Sequence, residues 1–207
     1  MSNEARKVDR MFWDKVSGIY DLYQVMNSKA NNEAAAICAS YISENDVVLE
    51  CACGTGIMTK IIAGHCKKLI ATDFSRKMLK KAKHKMRRSK NVLFRYADIT
   101  NLRFKDAYFD KVVAANVIHL LDEPQKAISE LYRVIKPGGI ILIPTYISKE
   151  ANSSARITKI FNKMGANFRN EFDMDTYREF FEEMGIEAEY RLAPGLISCC
   201  VAIIKNT

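Results

Sequence analysis

Residues 47–60 read VVLECACGTGIMTK: a short β-branched run, two cysteines one residue apart, and a Gly-Thr-Gly turn leading into an apolar helical stretch. A strand followed by glycines and a helix opens a βα unit. Gly54 and Gly56 let the backbone turn there and approach a ligand closely. A dinucleotide fingerprint would want a third glycine where Thr59 stands, and a carboxylate such as Glu50 at the strand tip would repel a pyrophosphate. The loop therefore suits a cationic ligand better than a phosphate. Cys51 and Cys53 are not read as a metal site, since two close thiols without partners cannot complete a tetrahedral shell.

Working outward, the same alternation continues. KLIAT, VLFRY, DKVVAAN and IILIPTY are four further strands, with helices from about Ile57, over 75–90 and at about 123–135. Pro137 and the following two glycines, in KPGG, read as a turn. Short apolar strands alternating with amphipathic helices imply an α/β fold, a Rossmann-like, doubly wound, mostly parallel sheet covered on both faces. IEAEYRLA and LISCCVAIIK, joined by Pro194-Gly195 with no helix between them, add an antiparallel hairpin and make seven strands. Upstream, two helices at about 4–26 and 30–43 form an N-terminal helical cap. The expected organisation is one domain: cap over 1–45, cofactor-binding core over 46–147, a helical lid insertion over 148–171, and a closing helix and hairpin over 172–207.

The bulk numbers fit that frame. With 207 residues, 48% hydrophobic and 27% charged, the chain is long enough for one sizeable core and too balanced for disorder. Its N-terminus, MSNEARKVDRMFWDK, is charged throughout and lacks the apolar core of a signal peptide, so the expectation is a cytoplasmic protein. The six cysteines, 38, 51, 53, 66, 199 and 200, read as reduced, buried small hydrophobes, with Cys199 and Cys200 on opposite faces of a strand. Much of the net charge of +8 sits in residues 75–90, which hold nine Lys or Arg and no acid. A basic amphipathic helix can contact anionic lipid or phosphates, but it reads first as a solvated outer face.

Asp73 ends the second strand nineteen residues after Gly54, where a carboxylate can accept the hydroxyls of a ribose or, alternatively, cap the next helix. Asp98 follows the third strand and is placed to accept from an adenine amino group. His119, three residues past Asn116, is the best-placed candidate for acid–base work, or else a structural histidine at a helix start.

The successive stretches VLECACGTG, IATDFSRKML, YADIT, DKVVAANVIHLL and ELYRVIKPGGIILI resemble the ordered motifs of class I S-adenosylmethionine-dependent methyltransferases. The likeness is to the branch of ubiquinone/menaquinone-biosynthesis and phospholipid N-methyltransferases, over roughly residues 10–145. The resemblance implies S-adenosyl-L-methionine as cofactor, with Glu50, Gly54 and Gly56 around its methionine portion, Asp73 on the ribose, Asp98 near adenine and Asn116 beside it. Ala52, Phe74, Met78 and Ile99 complete the implied cofactor contacts. FWDKVSGIYD resembles the helix that covers the cofactor in this branch, with Tyr20 near the methionine end and, with His119, implied in catalysis. Ala52 stands where many members have glycine, a small departure if that residue keeps ordinary dihedrals. The expected acceptor is a small or lipid-like molecule. Contact with an anionic membrane fits the basic helix, while nucleic acid is disfavoured. An RNA or protein methyltransferase using the 75–90 helix, and a non-catalytic cofactor-binding subunit, stay open as alternatives.

Overall fold

The structure is a computed structural model and describes residues 11–15, 17, 18, 25, 27–147 and 171–207. The β-branched runs form strands and the amphipathic segments between them form helices. In chain order these are α1 (Ser28–Ser40), β1 (Val47–Cys51), α2 (Ile57–Ile62), β2 (Lys68–Asp73), α3 (Arg76–Lys85), β3 (Val92–Tyr96), β4 (Phe109–Ala114), a 3₁₀ turn (Ile118–Leu120), α4 (Pro124–Val134), β5 (Ile135–Ile147), α5 (Met174–Glu182), β6 (Glu189–Ala193) and β7 (Ser198–Lys205). Residues 11–15, 17, 18 and 25 are helical, within the expected first helix; the rest of that helix, Tyr20 included, and residues 148–170 of the expected lid lie outside the described residues.

The sheet has seven strands in the order β3-β2-β1-β4-β5-β7-β6. β7 alone runs against its neighbours, antiparallel to both β5 and β6, while the other pairings are parallel. Strand order reverses between β1 and β4, which run side by side, and that is where an open α/β sheet leaves a crevice beyond its carboxyl ends.

Both sheet faces are covered. Ala30, Ala34 and Cys38 of α1, Ile62 of α2, and Leu79 and Ala82 of α3 bury one face. Ile128 and Leu131 of α4 and Tyr177 and Phe181 of α5 bury the other. The period-2 rule places adjacent residues on opposite faces: Cys199 belongs to the first cluster and Cys200 to the second. All six cysteines are buried free thiols. No helix among the described residues is long and apolar enough to cross a membrane.

Two boundaries differ from expectation. The basic helix stops at Lys85, with Met78, Leu79 and Ala82 buried and Arg76, Lys77, Lys80, Lys83, Lys85, Arg87 and Arg88 exposed. KPGG is not a free-standing turn but an irregularity inside the long β5, whose pairing with β4 jumps from Phe109–Ile135 to Lys111–Ile140. Asn206 ties the extra residues down by accepting from Gly138 N and donating to the Gly139 and Lys136 carbonyls.

Two staples position the edges of the crevice. Asn27, at the head of α1, pairs with Ile197 like a strand residue, donating to its carbonyl and accepting from its N–H at 3.0 Å each. Next to it Gly195 allows close approach, since a Cβ there would stand 2.6 Å from that of Ala30. On the other face Arg133 closes the loop between β3 and β4. Its guanidinium forks onto Glu130 at 2.7 and 2.8 Å and donates to the Leu102 and Phe104 carbonyls, while Glu130 accepts from Leu102 N. Charge-assisted forks of this kind are the stronger hydrogen bonds. Arg133→Met keeps the aliphatic stem but leaves Glu130 and two carbonyls without their donor. The expected cost is about 2–3 kcal/mol, read as a fall of several degrees in a thermal melt; a melting point within one degree of wild type would show that the staple is idle.

Candidate functional site

The crevice is a cleft of ≈ 920 Å³, counting its open mouth. Its floor is the loop after β1 with Ala52 and Gly54, and the tip of β2 with Thr72 and Asp73. One side wall is Phe74 and Met78, another is Asp98, Ile99 and Thr100 after β3, and a third is Asn116, Val117, Leu120 and Leu121 after β4. Trp13 comes in over the top. A smaller cleft adjoins it, sharing Ala52, Gly54 and Asn116, and is lined further by Asn31, Glu50, Cys53, Thr55 and Met58. Most of these walls are apolar, with a few carboxylates aimed inward, the usual make-up of a small-molecule site.

Asp73 organises the floor. Its Oδ2 accepts from Gly54 N at 2.8 Å and its Oδ1 from Ser75 N at 2.7 Å. The carboxylate thus ties the β1 loop to the β2 tip. The alternative of a helix cap falls to Ser75, whose Oγ accepts from Met78 N at the start of α3. Burial pushes the Asp73 carboxyl up to about 6, against the three backbone amides of Ser75, Gly54 and Phe74 that favour its charge, and the nearby Asp14 adds to the rise.

Glu50 is 1% exposed at the end of β1, and its Oε2 has no hydrogen-bond partner among the described residues. Burial pushes its carboxyl up to about 8; the Thr59 hydroxyl pulls the other way and the Asp73 charge adds to the rise. A buried carboxyl oxygen with no donor is where an ammonium or similar cation would be held.

Two residues bend the loops with left-handed backbone. Ala52 has φ 55°, so the expectation of ordinary dihedrals is corrected; the tight exit from β1 forces a conformation that costs an alanine about 1–2 kcal/mol. Asn116 has φ 50°, which asparagine tolerates better than most residues. Its N–H donates to the Pro144 carbonyl at 2.7 Å and its Oδ1 accepts from Tyr146 N at 3.0 Å, clamping the end of β4 to β5.

Of the residues singled out from sequence, Ala52, Gly54, Asp73, Phe74, Met78, Asp98, Ile99 and Asn116 line the larger cleft and Glu50 the smaller. Gly56 lines neither: it opens α2 at φ 87°, and a Cβ there would meet Ala82 of α3 at 3.2 Å. Asp98 is oriented by Thr100, whose N–H and hydroxyl donate to its Oδ1 at 2.9 and 2.8 Å. His119 is 4% exposed on the 3₁₀ turn and is not among the residues lining these two clefts; burial pushes its imidazole down to about 4. Residues not singled out from sequence include Trp13, Thr100, Leu120 and, in the smaller cleft, Asn31, which accepts from the Tyr146 hydroxyl at 2.6 Å. Asn31 did leave a sign: it is a polar residue on the alanine face of α1, beside Ala30 and Ala34.

Residues 49–143 match the family described as Methyltransferase domain. The chain is 34% identical over 146 residues to a demethylmenaquinone methyltransferase of Clavibacter sepedonicus, covering 69% of this chain and 59% of that protein. It is 28% identical over 211 residues to the ubiquinone/menaquinone biosynthesis C-methyltransferase UbiE of Stutzerimonas stutzeri, covering 95% and 81%. Against other demethylmenaquinone methyltransferases it spans only 40% and 38% of their length. A SAM-dependent methyltransferase from Aquifex aeolicus superposes with a TM-score of 0.67 over 84% of this chain and 90% of that one, at 20% identity, which shows a shared fold.

Two outcomes follow from the floor. A carboxyl at about 8 when folded and near 4.5 when unfolded keeps a proton on folding, so without ligand its contribution to stability falls as pH rises through that window. Glu50→Gln lacks this term, so its melting temperature relative to wild type should climb between pH 5 and pH 8; parallel curves would refute the buried, protonated carboxyl. Ala52→Gly should stabilise by about 0.5 kcal/mol by relieving the left-handed alanine, and a lower melting temperature would count against that strain.

Proposed function

We propose that this chain is a class I S-adenosylmethionine-dependent methyltransferase domain related to the ubiquinone/menaquinone C-methyltransferases and that it methylates a small or lipid-like acceptor. The observation that carries the reading is the acidic floor: Glu50, buried with an oxygen unpartnered among the described residues, and Asp73, in two adjoining clefts at the reversal of strand order. That floor fits a cationic adenosyl group and would reject a pyrophosphate.

When bound, the cofactor supplies a methyl group on a sulfonium, already activated for attack. In this reading Glu50 holds the ammonium of its methionine portion, Asp73 accepts from the ribose hydroxyls, and Asp98 accepts from the adenine amino group. Phe74, Met78 and Ile99 offer apolar surface to the purine, and Gly54 leaves room for the chain to pass. Asn116 keeps the loop after β4 in place beside the reacting end. The protein's part in the chemistry is then to align the acceptor and exclude water. His119 lines neither cleft and burial pushes its imidazole down to about 4, so we assign it a supporting role rather than a large proton-transfer role; Tyr20 is assigned to the methionine end on the resemblance alone. A lipid-like acceptor, drawn from an anionic surface in contact with the exposed basic face of α3, belongs to the same reading, as does a cytoplasmic setting.

The test offers the protein labelled S-adenosylmethionine with pools of phenolic and quinol-like compounds, small amines, thiols, lipids and RNA. Label should enter an organic-extractable product and should not enter RNA; binding of NAD with neither S-adenosylmethionine nor its demethylated product would overturn the assignment. Both floor carboxyls ionise further as pH rises from 6 to 8, so affinity for the cation should rise across that window. Asp73→Ala should weaken binding by roughly 1.5–3 kcal/mol, measured by calorimetry on protein whose circular dichroism shows an intact fold.

A further inference from the structure

Resting on that reading of the cleft, we propose that Asp14 is a positioning residue that latches Trp13 over the cofactor by capping α3 from outside. Trp13 lines the larger cleft, and its neighbour Asp14 turns the other way. Asp14 Oδ1 accepts from the Ser75 hydroxyl at 2.5 Å and from Lys77 N at 3.2 Å. Lys77 N is one of the first-turn amides that an α-helix cannot satisfy by itself, and a carboxylate there also meets the positive end of the helix. One turn further along α3, the Lys81 ammonium donates to the Ser17 carbonyl. Ser17 is 5% exposed, and its hydroxyl donates back to the Asp14 carbonyl at 3.0 Å. The N-terminal segment is thus held at two points, Asp14 and Ser17, along the same helix that presents Phe74 and Met78 at its head.

The latch also connects to the floor. Ser75 donates its hydroxyl to Asp14 and its N–H to Asp73, and Asp73 accepts in turn from Gly54 N. A single chain of hydrogen bonds therefore runs from the covering segment through the head of α3 to the ribose acid and the glycine loop. Within it, the Ser75 hydroxyl both receives Met78 N and gives to Asp14, so losing Asp14 leaves that hydroxyl and Lys77 N without their acceptor. The surroundings reinforce it: Asp14 is an acid set against a helix that carries six Lys or Arg over Arg76–Lys85 and no acid of its own.

The chain has a single tryptophan, so its fluorescence reports on Trp13 alone. On the full chain without ligand, Asp14→Ala should shift the emission to longer wavelength and raise quenching by acrylamide. Lys81→Met should act in the same direction from the second point, and Asp14→Asn, which keeps the accepting oxygen, should restore most of the wild-type signal. With the demethylated cofactor S-adenosylhomocysteine, Asp14→Ala should bind about tenfold more weakly, mainly through faster release. Wild-type emission and quenching in Asp14→Ala and Lys81→Met, with circular dichroism unchanged, would overturn the latch. A wild-type protein that fails to bind S-adenosylhomocysteine would instead overturn the cofactor reading, while the ligand-free emission shift would still decide the latch.

Discussion

The carboxylate of Asp73 holds two backbone amides at once, Gly54 N on the β1 loop and Ser75 N at the head of α3. Those two pieces of chain come from successive βα units, and the tie carries the β1–β2 pairing and the Cys53 N to Thr72 carbonyl bond on past the strand ends. A buried charge is costly unless it is hydrogen-bonded, and here the backbone meets that cost while the carboxylate sets the width of the crevice. Phe74 and Met78 on one side, Ala52 and Gly54 on the other, stand where they do because this tie exists.

The doubly covered sheet makes the tie possible. With α1, α2 and α3 on one face and α4 and α5 on the other, the parallel strands β1, β2 and β4 are buried on both sides and end together. Their carboxyl tips border the cleft, so charged groups placed there become the polar elements of an otherwise apolar cleft. Burial then raises Glu50 to about 8 and Asp73 to about 6. The floor is therefore responsive to a cation: an arriving positive charge favours the ionised carboxylates that burial disfavours.

The clamps around the floor are of different kinds. Asn116 and Tyr146 join β4 to β5 through side-chain and backbone bonds, Arg133 pins the loop carrying the β3 side of the wall, and Asn27 docks α1 on the β6–β7 turn. Each uses a polar side chain to complete backbone groups that the strand ladders leave open. The left-handed residues Ala52 and Asn116 sit where two of these loops must turn back sharply, which is where backbone strain accumulates near a site.

Much of this was legible before the fold. The period-2 strands, the glycine turn after β1, the acid at the end of β2 and the hairpin without a helix lead to the seven-stranded sheet and to most of the cleft lining, because those features depend on local backbone preference and on which face of an element is apolar. The covering segment was legible as an apolar helix and, by resemblance, as a cover for the cofactor; that Asp14 reaches the head of α3 depends on residues more than sixty positions apart in the chain meeting in space. The same holds for Asn31 beside Glu50, for Arg133 under the β3–β4 loop, and for KPGG, where pairing with β4 turned an apparent stop into an interruption of one long strand. Local sequence determined which segments are strands, helices and turns and which acids stand at the strand tips. Tertiary structure alone decided what those acids bond to, how deeply they are buried and hence how they titrate, because hydrogen-bond partners and desolvation are set by neighbours distant in the chain.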